Sequence, residues 1–213
     1  VVSLFIAVLA HRAGLALLAA AGLALSVVMM AIAAEISAQH HAPADLVFVG
    51  TVLGWSLVYV GGIAYGIYSG RTLGWPDLLT LSAAGLAGLA LSIGATGPEV
   101  MTLRALIAAG FGAVFLGVGQ LASARPELRP WVSILAAQAL GLFAAAVGFG
   151  LSGATITIVW SVLALVAALV WAESKDPIFG AALALLASAT IFRLLAVDIG
   201  EADRMVSEFR WSS

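Results

Sequence analysis

An all-α, polytopic transmembrane helical bundle is the fold class this chain predicts. It reads as seven full spans, a partial N-terminal span, hairpin repeats and a C-terminal interfacial amphipathic helix. Charge placement carries the prediction. Asp, Glu, Lys and Arg make up 9% of the 213 residues and fall almost entirely in short gaps between apolar runs. Those runs are about twenty residues long, which is what a helix needs to cross the hydrocarbon core of a bilayer. Composition agrees, with 63% hydrophobic residues and a mean hydropathy of +1.14. The runs are apolar on every face, whereas a membrane β-barrel needs strands of alternating polarity.

Taken in order, Val1 to Ala10 is half a span and reads as the end of a helix that starts earlier. Without a basic stretch before it, it is not a signal peptide. Full spans follow at roughly 13–34, 47–68, 77–95, 103–122, 131–149, 154–172 and 179–197. The prolines Pro43, Pro76, Pro98, Pro126, Pro130 and Pro177 all lie in connections or first helical turns. A missing N–H costs nothing there, because it would have no intrahelical partner. With no proline inside a span, the discontinuous helices that build many transporter sites are not expected. From Ile199 to Trp211 the pattern changes: Ala202, Met205, Val206 and Phe209 share one helical face, and Glu201, Arg204 and Glu208 form a charge ladder on another. That segment reads as an amphipathic helix lying in the outer interface, or equally as the end of a longer tail. The chain therefore divides into a transmembrane domain, 1–198, and an external amphipathic tail, 199–213.

Lys and Arg set the expected orientation. Alternate connections carry His11-Arg12, Arg71, Arg125 with Arg129, and Lys175, while 35–46 and 150–153 carry no basic residue. Basic short loops stay cytoplasmic. Tyr65, Tyr68, Trp75, Trp131 and Trp171 fall at the same ends, as an interfacial belt would. Against this, Arg204 and Arg210 place positive charge on the outer tail. The basic turns also look alike. Each is an apolar span, a basic turn, a proline and another apolar span, with Pro76, Pro130 and Pro177 recurring at about fifty residues and His11-Arg12-Ala13-Gly14 as a degenerate copy. All copies share one orientation, which favours an array of hairpins over an inverted-repeat rocking machine. Hairpins with proline turns that arose independently would show the same pattern.

Few residues could carry chemistry. The absence of cysteine excludes disulfides, thiolate metal sites and cysteine nucleophiles. A net charge of −2 gives no reason to expect nucleic acid as a partner. His40-His41, with Glu35 and Asp45, could in principle hold a metal, but structural zinc needs four well-placed ligands and the plain reading is a solvated loop. No cofactor is expected. Lys175, the only lysine, lies in a turn, which rules out a Schiff base within a span. Gly62, Gly66 and Gly70 form a small-residue stripe suited to close helix packing. Gly110 with Gly117, and Gly141 with Gly148, suggest similar contacts. Gln120 and Gln138, inside spans, should face protein and pair between helices.

Arg104, Arg193 and Asp198 form the candidate interfacial polar site, since charges near the membrane interior are functional candidates. The competing reading has both arginines snorkelling to headgroups, with Arg193 pairing with Asp198. Among carboxylates, only Glu35, Asp45, Glu99 and Asp198 could serve an external active site, and none has a recognisable partner. An enzyme is the weakest of three readings. A non-catalytic membrane subunit or scaffold leads, its partners being lipids and other membrane subunits, and a transporter or flippase for an apolar or lipid-linked substrate follows.

Thr157-Ile158-Val159-Trp160-Ser161-Val162-Leu163, then Leu169-Val170-Trp171, a charged turn with proline, and a closing Arg193-Leu194-Leu195-Ala196-Val197-Asp198 resemble a conserved block. The block belongs to a large bacterial family of predicted multi-pass inner-membrane proteins that carry a domain of unknown function. The resemblance is clearest over 101–198. Leu163 departs from it, because the family usually has an acidic residue three positions after the tryptophan matching Trp160. The family's members are also usually much longer. What the resemblance implies is a fold type and a bacterial inner membrane, with no activity attached.

Overall fold

The computed structural model describes residues 46–94, 96 and 100–198. The half-span 1–10, the span 13–34, the connection with His40 and His41, Glu99 and the tail 199–213 lie outside the described residues. The described chain is helical, with α1 at Leu46–Tyr68, α2 at Trp75–Gly94, α3 at Met101–Ser123, α4 at Arg129–Gly150, α5 at Ala154–Ser174 and α6 at Pro177–Arg193. A π-helical turn, Leu194–Asp198, continues α6. All six helices are long and apolar enough to cross a membrane, α6 counted together with its π turn, and no strand occurs among the described residues. This is a multi-pass membrane protein.

Three short turns join helices at one end of the bundle, and each solves the helix-end problem differently. After α1, Gly70 takes a left-handed φ of 81°, and the amides of Arg71 and Gly70 return to the carbonyls of Gly66 and Ile67. That pairing is a Schellman stop, which satisfies carbonyls the helix would otherwise leave open. After α3 the chain makes a short 3-10 turn, Pro126–Leu128, and enters α4 with Pro130 in its first turn. After α5, Lys175 adopts φ 56° and donates its amide to the carbonyl of Trp171. Asp176 then caps α6, its carboxylate accepting from the amide of Ile178 at 2.9 Å, with Pro177 in the first turn.

Packing is uneven. Val60, Ile63 and Ile67 of α1 meet Leu78 and Leu81 of α2, Phe111 and Phe115 of α3 and Leu135, Ala139 and Leu142 of α4 in one cluster. Between helices in lipid, apolar contact brings no gain over the acyl chains, so close approach of small residues decides which faces meet. Gly85 and Gly88 of α2 supply it. A Cβ on Gly85 would fall on the ring of Phe115, and one on Gly88 would lie 2.9 Å from both Phe111 Cζ and Ser56 Cβ. Gly112 of α3 does the same against α4, 3.1 Å from Phe143 and 3.3 Å from the Ala139 carbonyl. By contrast, no residue of α6 is buried, and α5 buries only Ile156, Thr157, Ala164 and Ala167.

The interfacial belt differs from expectation at one position. Tyr65, Tyr68, Trp75 and Trp171 are exposed, but Trp131 is buried with Leu128 and Leu135. It follows Pro130 in the first turn of α4, and that turn faces the core rather than the headgroups.

Candidate functional site

Among the described residues, the charged groups of the bundle collect at its two ends. At the basic end, Arg71 donates from Nη2 to Asp77 Oδ1 at 3.0 Å, an ion pair whose carboxylate is almost fully buried. The second carboxylate oxygen accepts from the Gly74 amide, also at 3.0 Å. Asp77 sits in the first turn of α2, where a negative charge meets the positive end of the helix dipole. Arg125, in the next basic turn, donates from Nη1 to the main-chain carbonyl of Arg71 at 3.1 Å, tying the two turns together. Asp77 escaped the sequence reading. Its signal was an acid directly after a turn proline and six residues beyond the turn's arginine.

At the opposite end, Arg104 of α3 turns back onto α2. Its Nε donates to Thr96 Oγ1 at 2.9 Å, and its Nη2 donates to the carbonyls of Ile93, at 3.1 Å, and Thr96. A cation over the last carbonyls of a helix satisfies groups that otherwise need water and opposes the negative end of the dipole. The guanidinium thus serves a helix end. Arg193 donates from Nη2 to the carbonyl of Gly153 at 3.1 Å, linking the end of α6 to the turn between α4 and α5. Gly153 has φ 58° and ψ −151°, a conformation reached essentially by glycine alone. Arg104 and Arg193 therefore share an end of the bundle but not a partner. The carboxylate of Asp198 is outside the described side chains, and with it the proposed pairing to Arg193.

Inside the bundle, Gln138 of α4 donates from Nε2 to Ser82 Oγ of α2 at 2.8 Å, an interhelical pair of the expected kind. Gln120 does not follow it. It is exposed near the basic end of α3, where its amide can rise toward water instead of finding protein. Trp160 Nε1 donates to the Ala144 carbonyl at 2.8 Å, fixing α5 against α4. The indole N–H of Trp55 and the hydroxyls of Ser56 and Ser92 are buried between helices without a hydrogen-bond partner among the described residues. Of the glycines expected to pack, Gly66 faces Leu73 of its own turn at 3.4 Å and Gly70 forms the turn itself. A Cβ added at Gly110, Gly117 or Gly141 would meet nothing within 4 Å, and one at Gly148 would meet Trp160 at 3.6 Å.

One apolar groove of about 340 Å³ opens sideways between α1 and α3, lined by Leu53, Leu57, Leu106, Ile107, Gly110 and Phe111 with Val114. No three of His, Asp and Glu come together to hold a metal among the described residues. The chain matches no protein-family model, no curated protein and no solved structure. Among the described residues, Arg71 with Asp77, Arg104, Arg125, Asp176 and Arg193 fasten turns and helix ends.

Proposed function

We propose that this protein is a non-catalytic integral membrane subunit or scaffold that packs against other membrane proteins and lipids. The proposal includes the finer topology: seven full spans with a partial one before them, hairpin repeats, basic turns in the cytoplasm, and a bacterial inner membrane as the sequence resemblance implies. One observation carries it. The α5–α6 hairpin is fastened to α4 and its following turn at one end, by Trp160 and Arg193, yet α6 buries none of its residues and leaves Leu185, Ile191 and Phe192 exposed. A helix anchored at one end but left uncovered along its length suits a lateral contact. A photo-crosslinking amino acid at Leu185 should give one discrete protein adduct in the native membrane, while the same group at Leu79, exposed on α2, should give lipid adducts only. Lipid adducts alone at both positions would overturn the reading.

The groove between α1 and α3 supports a second reading, a transporter or flippase for an apolar or lipid-linked substrate, which needs no buried charge. Gly110→Trp would fill that groove. Loss of lipid scrambling in proteoliposomes, with the fold intact, favours this alternative, and absence of scrambling by the unmodified chain removes it.

A further inference from the structure

We propose that the two basic turns joined by Arg125 form a binding site for the phosphate of an anionic phospholipid headgroup. Arg71 is neutralised by Asp77 at 3.0 Å, while Arg125 and Arg129 together outnumber the one acid of their own turn, exposed Glu127. No carboxylate lies within ion-pair distance of Arg125 among the described residues, and only Nη1 is engaged, by the carbonyl of Arg71. A guanidinium has five donors in a planar fork, and that fork matches two oxygens of a phosphate. Here the fork is already oriented, because a bond spanning 54 residues of chain holds one nitrogen. The other terminal nitrogen, Nη2, lies over Gly70, which has no side chain to cover it: a Cβ there would sit 3.5 Å away.

The surroundings suit a lipid better than a free ion. Tyr68 and Trp75, both strongly exposed, flank the turn at the level where aromatic rings settle between acyl chains and headgroups. Arg129 adds a second, exposed positive charge one helical turn beyond Arg125. Basic pockets between transmembrane helices at this depth attract anionic lipids. The site rests on the chain crossing a bilayer and not on the scaffold reading, since it would bind lipid whether or not a protein partner exists.

The chain lacks cysteine, so Thr72→Cys places a single fluorophore beside the site. The full chain is reconstituted in phosphatidylcholine nanodiscs doped with equal fractions of brominated phosphatidylglycerol or brominated phosphatidylcholine. Brominated phosphatidylglycerol should quench at least twofold more strongly. Arg125→Gln should bring quenching by the two lipids close to equal, because one arginine near the surface contributes about fivefold in affinity, while Arg129→Gln should leave most of the preference in place. Equal quenching by the two lipids in the chain that keeps Arg125 overturns the proposal, whatever the variants do. So does an equal loss in both arginine variants, which would mean diffuse attraction. Displacement by millimolar inorganic phosphate would assign the site to a free anion, and quenching abolished only when a co-purifying acidic protein is present would assign it to a protein.

Discussion

Replacing Gly88 by alanine should loosen the α1–α2–α3 junction, and the size of the effect follows from what the new methyl group meets. It would press on the hydroxyl of Ser56 and lie 2.9 Å from both Ser56 Cβ and Phe111 Cζ. Ser56 Cβ is one bond from the backbone of α1, so no rotamer change moves it aside. The helices themselves must part by several tenths of an ångström. With Ser56 Cβ fixed, the overpacking falls in the upper part of the usual range, about 2–3 kcal/mol. Alanine returns up to about 1 kcal/mol through helix propensity, leaving a net loss of roughly 1–2 kcal/mol. Gly110→Ala is the internal control, since nothing lies within 4 Å of its Cβ. It gains the propensity term without the clash and should be neutral or stabilised by up to about 1 kcal/mol. Reversible unfolding in mixed micelles, titrated with dodecyl sulfate and followed by helicity, reads both on one scale. If Gly88→Ala is as stable as the parent, or if the two variants lose equally, the close approach of α2 to α1 is not what holds the junction.

Other expectations are smaller and use the same assay. Arg104→Gln removes the charge-assisted bonds to Thr96 and Ile93 and should cost about 2 kcal/mol. Arg104→Lys should recover less than half of that, because a point charge cannot serve several carbonyl and hydroxyl acceptors at once. Lys175→Gly relieves a side chain held at φ 56° and should stabilise by about 0.5–1 kcal/mol. Gly153→Ala meets no atom within 4 Å, so any loss it shows, expected at about 1–3 kcal/mol, is backbone strain alone.

The helices were legible because span length and charge exclusion are imposed by the bilayer itself, residue by residue, with little dependence on tertiary contacts. All six described helices overlie apolar runs visible in the sequence, with Pro76, Pro130 and Pro177 in first turns. Partners were not legible where the acceptor is main chain. Arg104 finds the carbonyls of Ile93 and Thr96, and Arg125 finds that of Arg71, and no side-chain identity announces an open carbonyl. At Gly110, Gly117 and Gly141 the seven-residue spacing meets no neighbour within 4 Å, for a related reason. Spacing marks a smooth face, but whether a neighbour enters depends on the opposite helix, and the large rings Phe111 and Phe115 chose Gly85 and Gly88. Gln138 and Gln120 look alike in sequence and differ only in depth and in whether a hydroxyl, Ser82, lies across the interface.

Single-cysteine accessibility on either side of α4 tests the account most directly, because the chain has no cysteine of its own. Ser123→Cys lies at the basic end before α4 and Ser152→Cys in the turn after it, and both positions are exposed. With an impermeant thiol reagent outside intact cells, Ser152→Cys should label at once, and Ser123→Cys only after the membrane is permeabilised. Labelling of both, or of neither, from the same side would mean that α4 does not cross the bilayer, and the multi-pass bundle would be contradicted.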